Sequence, residues 1–456
     1  MTSRISLLPY QKEDIVKLED LDGIGLNASE MGLGKTIETL MAIKRNPSWQ
    51  PALVVCPASV KYNWVHESKV NAGMQASVCE GQTPPRLNAF DHYVRTPITV
   101  MNYDILHHWL DFIRKYQFKT IVFDECQYLQ NPDTLRTKAA KRATRTTQHR
   151  MFLSGTPLTN RPSDLWPVLN MLWPHEFNSK TEYLQRYCKP RWTPWGWDYS
   201  GACNLDELHH RLKSLGMIRR RKVDVLKDLP EKVRRIEPCE LSDPQEYKEA
   251  SEDFMTWIKK NMAHKTQSVS KAEKLTQAAY LLQICARLKL KSVVNWCNRF
   301  LSETGEKLVI FAEHHKAMDV LQRRIEFPSV RIDGGVDSKV RQASIHQFQN
   351  DPKIPVFIGN RAACMGITLT AASTVGFAEF WRRPGDHVQG EDRIHRIGQN
   401  RPSWCHYFAA VGTIEERLCK ILQEKQQVIS AVLDGGSTPE DLDIYEILME
   451  ELSKET

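Results

Sequence analysis

The segment SEMGLGKT, Ser29–Thr36, decides the fold of the amino-terminal half of this chain. It stands between a short apolar segment and a helix that the pattern predicts from about Ile37. Its two glycines let backbone N–H groups surround phosphate oxygens at a helix N-terminus, where the helix dipole favours anions. A GLGKT turn can arise by chance, but this position favours a nucleotide-binding loop. We expect Lys35 to pair with the β- and γ-phosphates and Thr36 to hold Mg²⁺. The predicted nucleotide contacts in the loop are Gly32, Leu33, Gly34, Lys35 and Thr36.

Two carboxylates follow an apolar segment in TIVFDECQ. At the carboxyl end of the predicted strand, Asp124 can coordinate Mg²⁺ through water, and Glu125 can polarise the attacking water. A lone Asp-Glu pair is usually a solvated turn, but its combination with the loop at Lys35 favours a catalytic site. Gln127 is predicted to signal between the nucleotide and a polymer, with simple packing as the alternative.

The segment QGEDRIHRIGQ, Gln389–Gln399, places Arg393 and Arg396 three residues apart, which on a helix puts both on one face. Two guanidiniums can stabilise charge on a transferring phosphate, although such a pair taken alone is more often a surface salt-bridge helix. The arginines are far from Lys35 in sequence. If they and Lys35 contact the same nucleotide, the site must lie between two lobes, and we expect hydrolysis to open and close it.

Composition limits the class of protein. Of 456 residues, 41% are hydrophobic and 26% charged, which is typical of a soluble globular enzyme and excludes a disordered or fibrous chain. The sequence has no long apolar segment and no secretory signal, so no membrane association is expected. Eleven cysteines without a CxxC pair predict reduced thiols and no structural zinc. The net charge of +7 is compatible with nucleic acid but does not require it.

Apolar segments rich in Val, Ile and Phe alternate with helical patterns, which predicts an α/β fold with parallel sheets. The predicted strands of the first half are Ala52–Cys56, Ile98–Met101, Thr120–Phe123 and Arg150–Leu153. Those of the second half are Lys307–Phe311, Val330–Asp333, Pro355–Ile358, Thr374–Phe377 and Cys405–Phe408. The region of about 241–300 between them is charged, glycine-free and helix-favouring. We therefore predict two α/β lobes joined through a helical region.

Taken in order, the motifs resemble the superfamily-two helicase series: LLPYQ, SEMGLGKT, VVCPASVKYNW, DECQ, LSGTPLTN, RIDGG, AACMGITLT and QGEDRIHRIGQ. The spelling DRIHRIGQ is similar to that of the Swi/Snf-type double-stranded DNA translocases. The resemblance covers about Leu7 to Lys425. It implies two RecA-like lobes with parallel β-sheets flanked by helices, helical insertions, and an ATP site in the interlobe cleft. The implied lobes are residues 1–228, with a Trp-rich insertion at about 175–215, and residues 229–456.

The resemblance also implies residue roles. Gln11 would read the adenine edge, and hydrolysis would be coupled to DNA through Gln127, Ser154, Gly155, Thr156 and Gln389. The implied contacts to the DNA backbone are Ser59, Lys61, Asn102, Tyr103, Arg341, Gly366 and Thr368, although each could be a plain turn residue. Two motifs depart from the family pattern. Ser29 stands where relatives usually have Asp, and Cys126-Gln127 stands where they have Ala-His or Gly-His. We expect hydrolysis to survive both changes, while its coupling to DNA differs.

The segment Arg186–Leu229 resembles the annealing-helicase branch, whose members remodel replication forks. It contains the candidate DNA-stacking residues Trp192, Trp195 and Trp197, which could equally pack the lobe's own core. Basic residues form two further clusters. One is a helical stripe that could follow phosphates or be a solvated face: Lys138, Lys141, Arg142 and Arg145. The other, Arg219–Lys222, is expected to brace the closed state instead of touching DNA.

The predicted function is an ATP- and Mg²⁺-dependent DNA helicase or translocase that tracks on duplex DNA and remodels branched DNA, such as forks and four-way junctions. The expected protein is monomeric and cytoplasmic, in a bacterial or phage-infected cell, because little sequence follows the motor. An alternative is a translocase that strips proteins from duplex DNA. A non-hydrolysing scaffold and an RNA helicase are less favoured, because the complete motif set and DRIHRIGQ argue against them.

Overall fold

The computed structural model describes residues 7–84, 96–194, 196–252, 267–364, 366–381 and 383–435. These residues form two compact units. The first contains the chain up to Pro190, Tyr199–Lys227 and the described residues from Val428 onward. The second contains Arg191–Asp198 and Asp228–Gln427.

The first unit is built on a seven-stranded parallel sheet with the strand order β3-β4-β2-β5-β6-β1-β9. Its strands are β1 Ile24–Asn27, β2 Ala52–Cys56, β3 Ala76–Val78, β4 Ile98–Asn102, β5 Thr120–Asp124, β6 His149–Leu153 and β9 Met217–Ile218. Every residue of β2 and β4 is buried, as expected for parallel strands covered on both faces. The α-helices of this unit are α1 Pro9–Asp20, α2 Lys35–Arg45, α3 Lys61–Glu67, α4 Leu110–Tyr116, α5 Leu135–Thr144, α6 Trp166–Leu172, α7 Lys180–Tyr187, α8 Leu205–Leu215 and α9 Lys222–Val225.

The register of this sheet assembles the candidate site. Asn27 at the end of β1 and Asp124 at the end of β5 both pair with Leu153 of β6. Because all three strands are parallel, the segments that follow them leave from the same edge of the sheet. The glycine-rich loop, the Asp-Glu pair and the segment after β6 are therefore neighbours.

The second unit is built on a six-stranded parallel sheet with the order β10-β15-β14-β11-β13-β12. Its strands are β10 Lys232–Cys239, β11 Leu308–Phe311, β12 Ser329–Ile332, β13 Val356–Gly359, β14 Thr374–Phe377 and β15 Ser403–Ala410. Its helices are α10 Gln267–Thr304, α11 His315–Arg324, α12 Ser338–Asn350, α13 Pro384–Glu391 and α14 Ile414–Asp434, the last of which extends into residues of the first unit.

Both faces of the second sheet are covered. Along β11, Leu308 and Ile310 belong to one apolar core, while Val309 and Phe311 belong to another. Successive side chains of a strand point to opposite faces, so these two cores lie on opposite sides of the sheet. The predicted α/β class, with parallel sheets flanked by helices, is confirmed.

A third, small sheet is separate from these two. The hairpin strands β7 Arg191–Thr193 and β8 Gly196–Asp198 pair only with each other among the described strands. All nine predicted strands exist. Their ends lie within one residue of the predicted ones, apart from β15, which begins at Ser403 and extends to Ala410, two residues beyond the prediction at each end. No helix in the described ranges has the length and apolar character that crossing a membrane requires.

Candidate active site

The glycine-rich loop takes a conformation that only small residues adopt easily. Gly32 and Gly34 have φ angles of 83° and 90°, and helix α2 begins directly after them at Lys35. A Cβ at Gly34 would lie 2.3 Å from Nε2 of Gln11. Helix α1 holds the loop from this side, since the Tyr10 hydroxyl and Gln11 Nε2 both donate to the carbonyl of Leu33, at 2.8 and 3.0 Å. Gln11 therefore contacts the loop, and its reading of adenine stays a prediction.

Lys35 lies at the centre of the loop. Its Nζ donates to the carbonyls of Ser29 at 2.6 Å and of Glu30 at 3.1 Å. Burial lowers the pKa of Lys35 to about 8, while the nearby carboxylates of Glu125 and Asp124 oppose that shift. The side chain is thus a cation held among backbone oxygens and facing two acids, as a phosphate-binding lysine requires. Thr36 is partly buried in the first turn of α2.

The two carboxylates are held differently. Asp124 accepts from the indole Nε1 of Trp64 at 2.8 Å, and its carbonyl accepts from the hydroxyl of Tyr103 at 2.7 Å. Burial, followed by the neighbouring charge of Glu125, raises the pKa of Asp124. Glu125 has a left-handed φ of 52°, which costs energy for a residue with a side chain. Strain of this kind is found where a side chain must be aimed, as a catalytic carboxylate must be.

A chain of hydrogen bonds connects Glu125 to the segment after β6. The amide Nε2 of Gln127 donates to Glu125 at 2.7 Å, and its Oε1 accepts from the hydroxyl of Ser154 at 2.6 Å. The Ser154 oxygen then accepts from the backbone N–H of Thr156 at 3.0 Å. Gly155 is required here, because a Cβ would lie 2.4 Å from Cγ of Met31 in the glycine-rich loop. Four of the predicted coupling residues are thus brought together: Gln127, Ser154, Gly155 and Thr156.

The segment after β9 supports the loop from behind. The backbone N–H of Arg220 donates to Ser29 Oγ at 3.2 Å, and Arg219 donates to the carbonyl of Ala28 at 2.8 Å. Ser29 is fully buried, so the residue that departs from the family pattern serves as an anchor for the loop. The basic cluster faces acids of the same unit, and its role in bracing a closed state stays a prediction. Its ion pairs are Arg219–Asp434, Arg220–Asp14 and Arg221–Asp224.

In the second unit, the predicted arginine pair surrounds a single loop. Arg393 and Arg396 both donate to the carbonyl of Ile367, at 3.2 and 3.0 Å, and Arg396 also donates to Thr368 Oγ1 at 2.9 Å. The expectation that both arginines lie on a helix is wrong. Helix α13 ends at Glu391, and the following residues form turns, because the N–H groups of Arg393 and Ile394 bond to carbonyls three residues back instead of four. The guanidiniums converge through the turn geometry instead.

Other predicted residues of the second unit lie around the same loop. The carbonyl of Gln389 accepts from Arg393 at 3.0 Å, and Arg341 donates to the carbonyl of Ala363 at 2.9 Å. Gly366 has a left-handed φ of 69° in this loop. The six predicted residues that the structure brings together are Arg341, Gly366, Thr368, Gln389, Arg393 and Arg396.

The predicted DNA contacts of the first unit have different degrees of exposure. Ser59 is exposed and Lys61 partly so, whereas Asn102 is 8% exposed and donates to Asp104. The assignment of Tyr103 to DNA is wrong, because its ring is 1% exposed and stacks between Phe123 and Tyr128. The basic stripe, which follows α5 to Arg145 directly after its end, is exposed at all of its residues, Lys138, Lys141, Arg142 and Arg145.

The structure describes two of the three tryptophans of the insertion. Trp192 and Trp197 are 69% and 56% exposed, so the alternative that they pack a core is wrong. Trp195 lies outside the described residues. Within the described ranges, no group of three His, Cys, Asp or Glu side chains could hold a metal ion. The absence of structural zinc stays a prediction.

The sequence interpretation missed several residues that hold the site. Trp64 lies inside the quoted motif VVCPASVKYNW, but its bond to Asp124 depends on β2 and β5 being neighbours in the sheet. Asn27 donates to Glu38 at 2.7 Å and accepts from the N–H of Ser29 at 3.1 Å. Burial raises the pKa of Glu38 to about 8. The sequence around Asn27, an amide at the end of a strand, gives no local signal that it bonds to Glu38 and Ser29.

A glycine-rich loop at a helix N-terminus, its lysine, and two carboxylates at the end of a parallel strand of the same sheet define a P-loop nucleotide-binding core. Comparison with known families agrees. The model of the SNF2-related domain matches residues 15–295, and that of the helicase conserved C-terminal domain matches residues 289–398. The chain therefore belongs to the SNF2-related helicase family.

Curated relatives are similar over nearly the whole chain. One relative, from Xenopus laevis, is 33% identical over 93% of this chain and 44% of its own length. It is named SWI/SNF-related matrix-associated actin-dependent regulator of chromatin subfamily A-like protein 1. The Mus musculus DNA annealing helicase and endonuclease ZRANB3 is 34% identical over 95% of this chain and 41% of its own length. The chain thus spans less than half the length of these relatives. Among solved structures, the Sulfolobus solfataricus SWI2/SNF2 ATPase core in complex with dsDNA matches with a TM-score of 0.45 and 25% identity, over 99% of this chain and 97% of that one.

Proposed function

We propose that this chain is an ATP-driven motor that translocates on duplex DNA and remodels branched DNA by branch migration, fork regression or strand reannealing. The observation that carries the proposal is the hydrogen-bonded chain from Glu125 through Gln127 to Ser154. It joins the candidate catalytic carboxylate to the segment that follows β6, so a change at the phosphate can alter that segment. An ATP-binding scaffold would not need such a connection.

The chemistry proposed for the first unit follows from the contacts of its residues. Lys35 would exchange its loop carbonyls for β- and γ-phosphate oxygens, and the loop N–H groups would cradle the same phosphates. Glu125 would orient and polarise the attacking water. A hydroxyl and a carboxylate are ligands that suit Mg²⁺, so Thr36 and Asp124 would hold the ion, which would neutralise charge on the phosphates. In the second unit, Arg393 and Arg396 are the proposed arginine fingers.

The DNA contacts remain part of the proposal. In the first unit we propose Ser59, Lys61 and Asn102, and in the second the loop that contains Gly366 and Thr368, together with Arg341. Hydroxyl groups, backbone N–H groups and cations can bind phosphodiester oxygens without reading sequence. The name of the mouse relative, an annealing helicase, supports branched DNA as the substrate class. A monomeric state and a cytoplasmic location stay predictions.

The proposal is tested by measuring ATP hydrolysis without DNA, with linear duplex and with a four-way junction. We expect DNA to stimulate hydrolysis, and Lys35→Ala to abolish it while DNA binding is retained. Lys44→Ala is the matched control, because Lys44 is an exposed lysine in the last turn of the same helix. Hydrolysis that is indifferent to DNA, or that survives Lys35→Ala, would refute the proposal.

A second experiment, with protein-bound DNA, distinguishes the protein-stripping alternative from branch migration. A junction and a linear duplex that carries a tightly bound protein are incubated with the motor and ATP. Displacement of the junction arm supports branch migration. Displacement of the bound protein while naked junctions stay intact would favour the stripping function instead.

A further inference from the structure

The β7–β8 hairpin presents two tryptophans to solvent. Trp192 and Trp197 are directly opposite each other in the antiparallel register, and their rings meet edge to face with centroids 5.3 Å apart. They are the only exposed tryptophans among the described residues, at 69% and 56%. Exposed indole area of this size is unfavourable in water, so it indicates a surface that binds something.

The hairpin is a defined ribbon. Thr193 Oγ1 donates to the carbonyl of Gly196 at 2.7 Å across the turn, where Gly196 has a φ of 113°. At the other end, Arg191 and Asp198 form an ion pair at 3.5 Å. A two-stranded hairpin alone is marginally stable in water, and its cross-strand pairs are what hold it. The tryptophan pair therefore maintains the ribbon and also forms its exposed surface.

The chemistry of the ribbon favours nucleobases as its ligand. Aromatic side chains with nearby cations are the usual means of binding single-stranded nucleic acid, because every base has a face that can stack. The chain from residue 185 to residue 198 carries three cations, Arg186, Lys189 and Arg191, and one acid, Asp198. Glu207 also pairs with Arg186, at 2.7 Å, so the balance of these groups is +1. This excess of positive charge complements a polyanion.

We propose that the hairpin stacks Trp192 or Trp197 on an unpaired base at a DNA branch point and so keeps the separated strands from re-pairing in place. The inference rests on the proposed function and adds to it the element that distinguishes branched from linear DNA. On linear duplex the hairpin has no unpaired base to bind. Translocation there does not depend on it.

The first experiment uses the wild-type chain. A fork carrying 5-iodouracil at its first unpaired nucleotide is irradiated in the complex, and the cross-linked tryptic peptide is identified. We expect the cross-link in the peptide of residues 192–211, and no such cross-link when the modified base lies within the paired arm. A cross-link located only elsewhere in the chain would overturn the proposal, whether or not any variant folds.

The second experiment compares variants on two substrates. Trp192→Ala/Trp197→Ala is expected to slow arm displacement from a four-way junction roughly tenfold or more, because stacking on an aromatic ring contributes strongly per base. ATP hydrolysis stimulated by linear duplex should stay within twofold of wild type. Trp192→Phe/Trp197→Phe keeps rings that can stack and should recover most of the junction rate.

Tyr280→Ala is the matched control, because Tyr280 is an aromatic residue that is 58% exposed on helix α10. Junction migration at the wild-type rate in the double alanine variant would overturn the proposal and favour a protein as the ligand of the ribbon. Failure of the proposed function is distinguishable, since the wild-type chain would then lack DNA-stimulated hydrolysis.

Discussion

Replacing Gln127 with alanine isolates the connection between the catalytic carboxylate and the segment after β6. The substitution removes the 2.7 Å bond to Glu125 and the 2.6 Å bond from Ser154. No contact of Lys35 with the loop is touched, since that lysine bonds to the carbonyls of Ser29 and Glu30. We therefore expect the KM for ATP to be nearly unchanged and the kcat to fall.

The size of the fall follows from the bond that is lost. A hydrogen bond to a charged group contributes about 1.5–3 kcal/mol. If the bond orients Glu125 only when water attacks, this free energy appears in the barrier and corresponds to a loss of roughly 10- to 150-fold in kcat. The bond to Ser154 adds to the loss of DNA stimulation, because it carries the signal onward.

The assay is steady-state phosphate release with saturating duplex DNA, over a range of ATP concentrations. Gln130→Ala is the matched control. It lies three residues further on and makes a similar pair of bonds, but with Thr159 instead of Glu125. A Gln127→Ala variant with a wild-type kcat, or one whose only change is a raised KM, would refute the reasoning.

Three further predictions concern the stability of the chain and its affinity for ATP. Lys289→Met leaves the buried Glu415, its partner at 2.8 Å, without a counter-charge, and should lower the free energy of unfolding measured in urea by about 3–5 kcal/mol. Lys289→Met/Glu415→Leu should recover most of that loss, and equal losses in the two variants would contradict the prediction. Burial alone would raise the pKa of Glu391, but the charges of Lys232 and Arg234 outweigh burial and lower this pKa to about 2. Burial lowers the pKa of His387 to about 4. In both cases the unfolded chain binds protons at a higher pH than the folded chain, so stability should fall as the pH drops below about 6.5 for His387 and from about 4.5 to about 2 for Glu391. Glu391 contributes about 3 kcal/mol of this loss, and Glu391→Gln should flatten the lower part of a denaturation series over pH. Gly34→Ala places a Cβ 2.3 Å from Gln11 Nε2 and should weaken ATP binding about tenfold by calorimetry, whereas Gly81→Ala, with a φ of 73° and no atom within 4 Å, should leave it unchanged.

Strands that are covered on both faces could be predicted from the sequence. β2 and β14 have the predicted bounds because each is a short apolar segment whose residues are all buried. β10 gave no such signal. Its sequence KVRRIEPC is that of a partly exposed edge strand, and its cations are held by acids distant in sequence. Lys232 and Arg234 bond to Glu391 at 3.0 and 2.6 Å, contacts that only the folded chain provides.

The residues of the candidate site also fall into two groups, those that the sequence predicts and those that only the folded chain brings near. The glycine-rich loop and the Asp-Glu pair were predictable because their chemistry depends on neighbours in sequence. Trp64, Tyr10 and Asn27 were not, since each acts on a residue that the sheet or a helix contact brings near. Motif position alone predicts that Tyr103 contacts DNA, and only its burial identifies it as a support for β5.

The displacement of a labelled arm from a four-way junction, followed over time with ATP, tests the central claim most directly. We expect displacement by the wild-type chain with ATP, none with a non-hydrolysable analogue, and none by Lys35→Ala although that variant still binds the junction. An intact junction in the presence of vigorous DNA-stimulated hydrolysis would contradict the account.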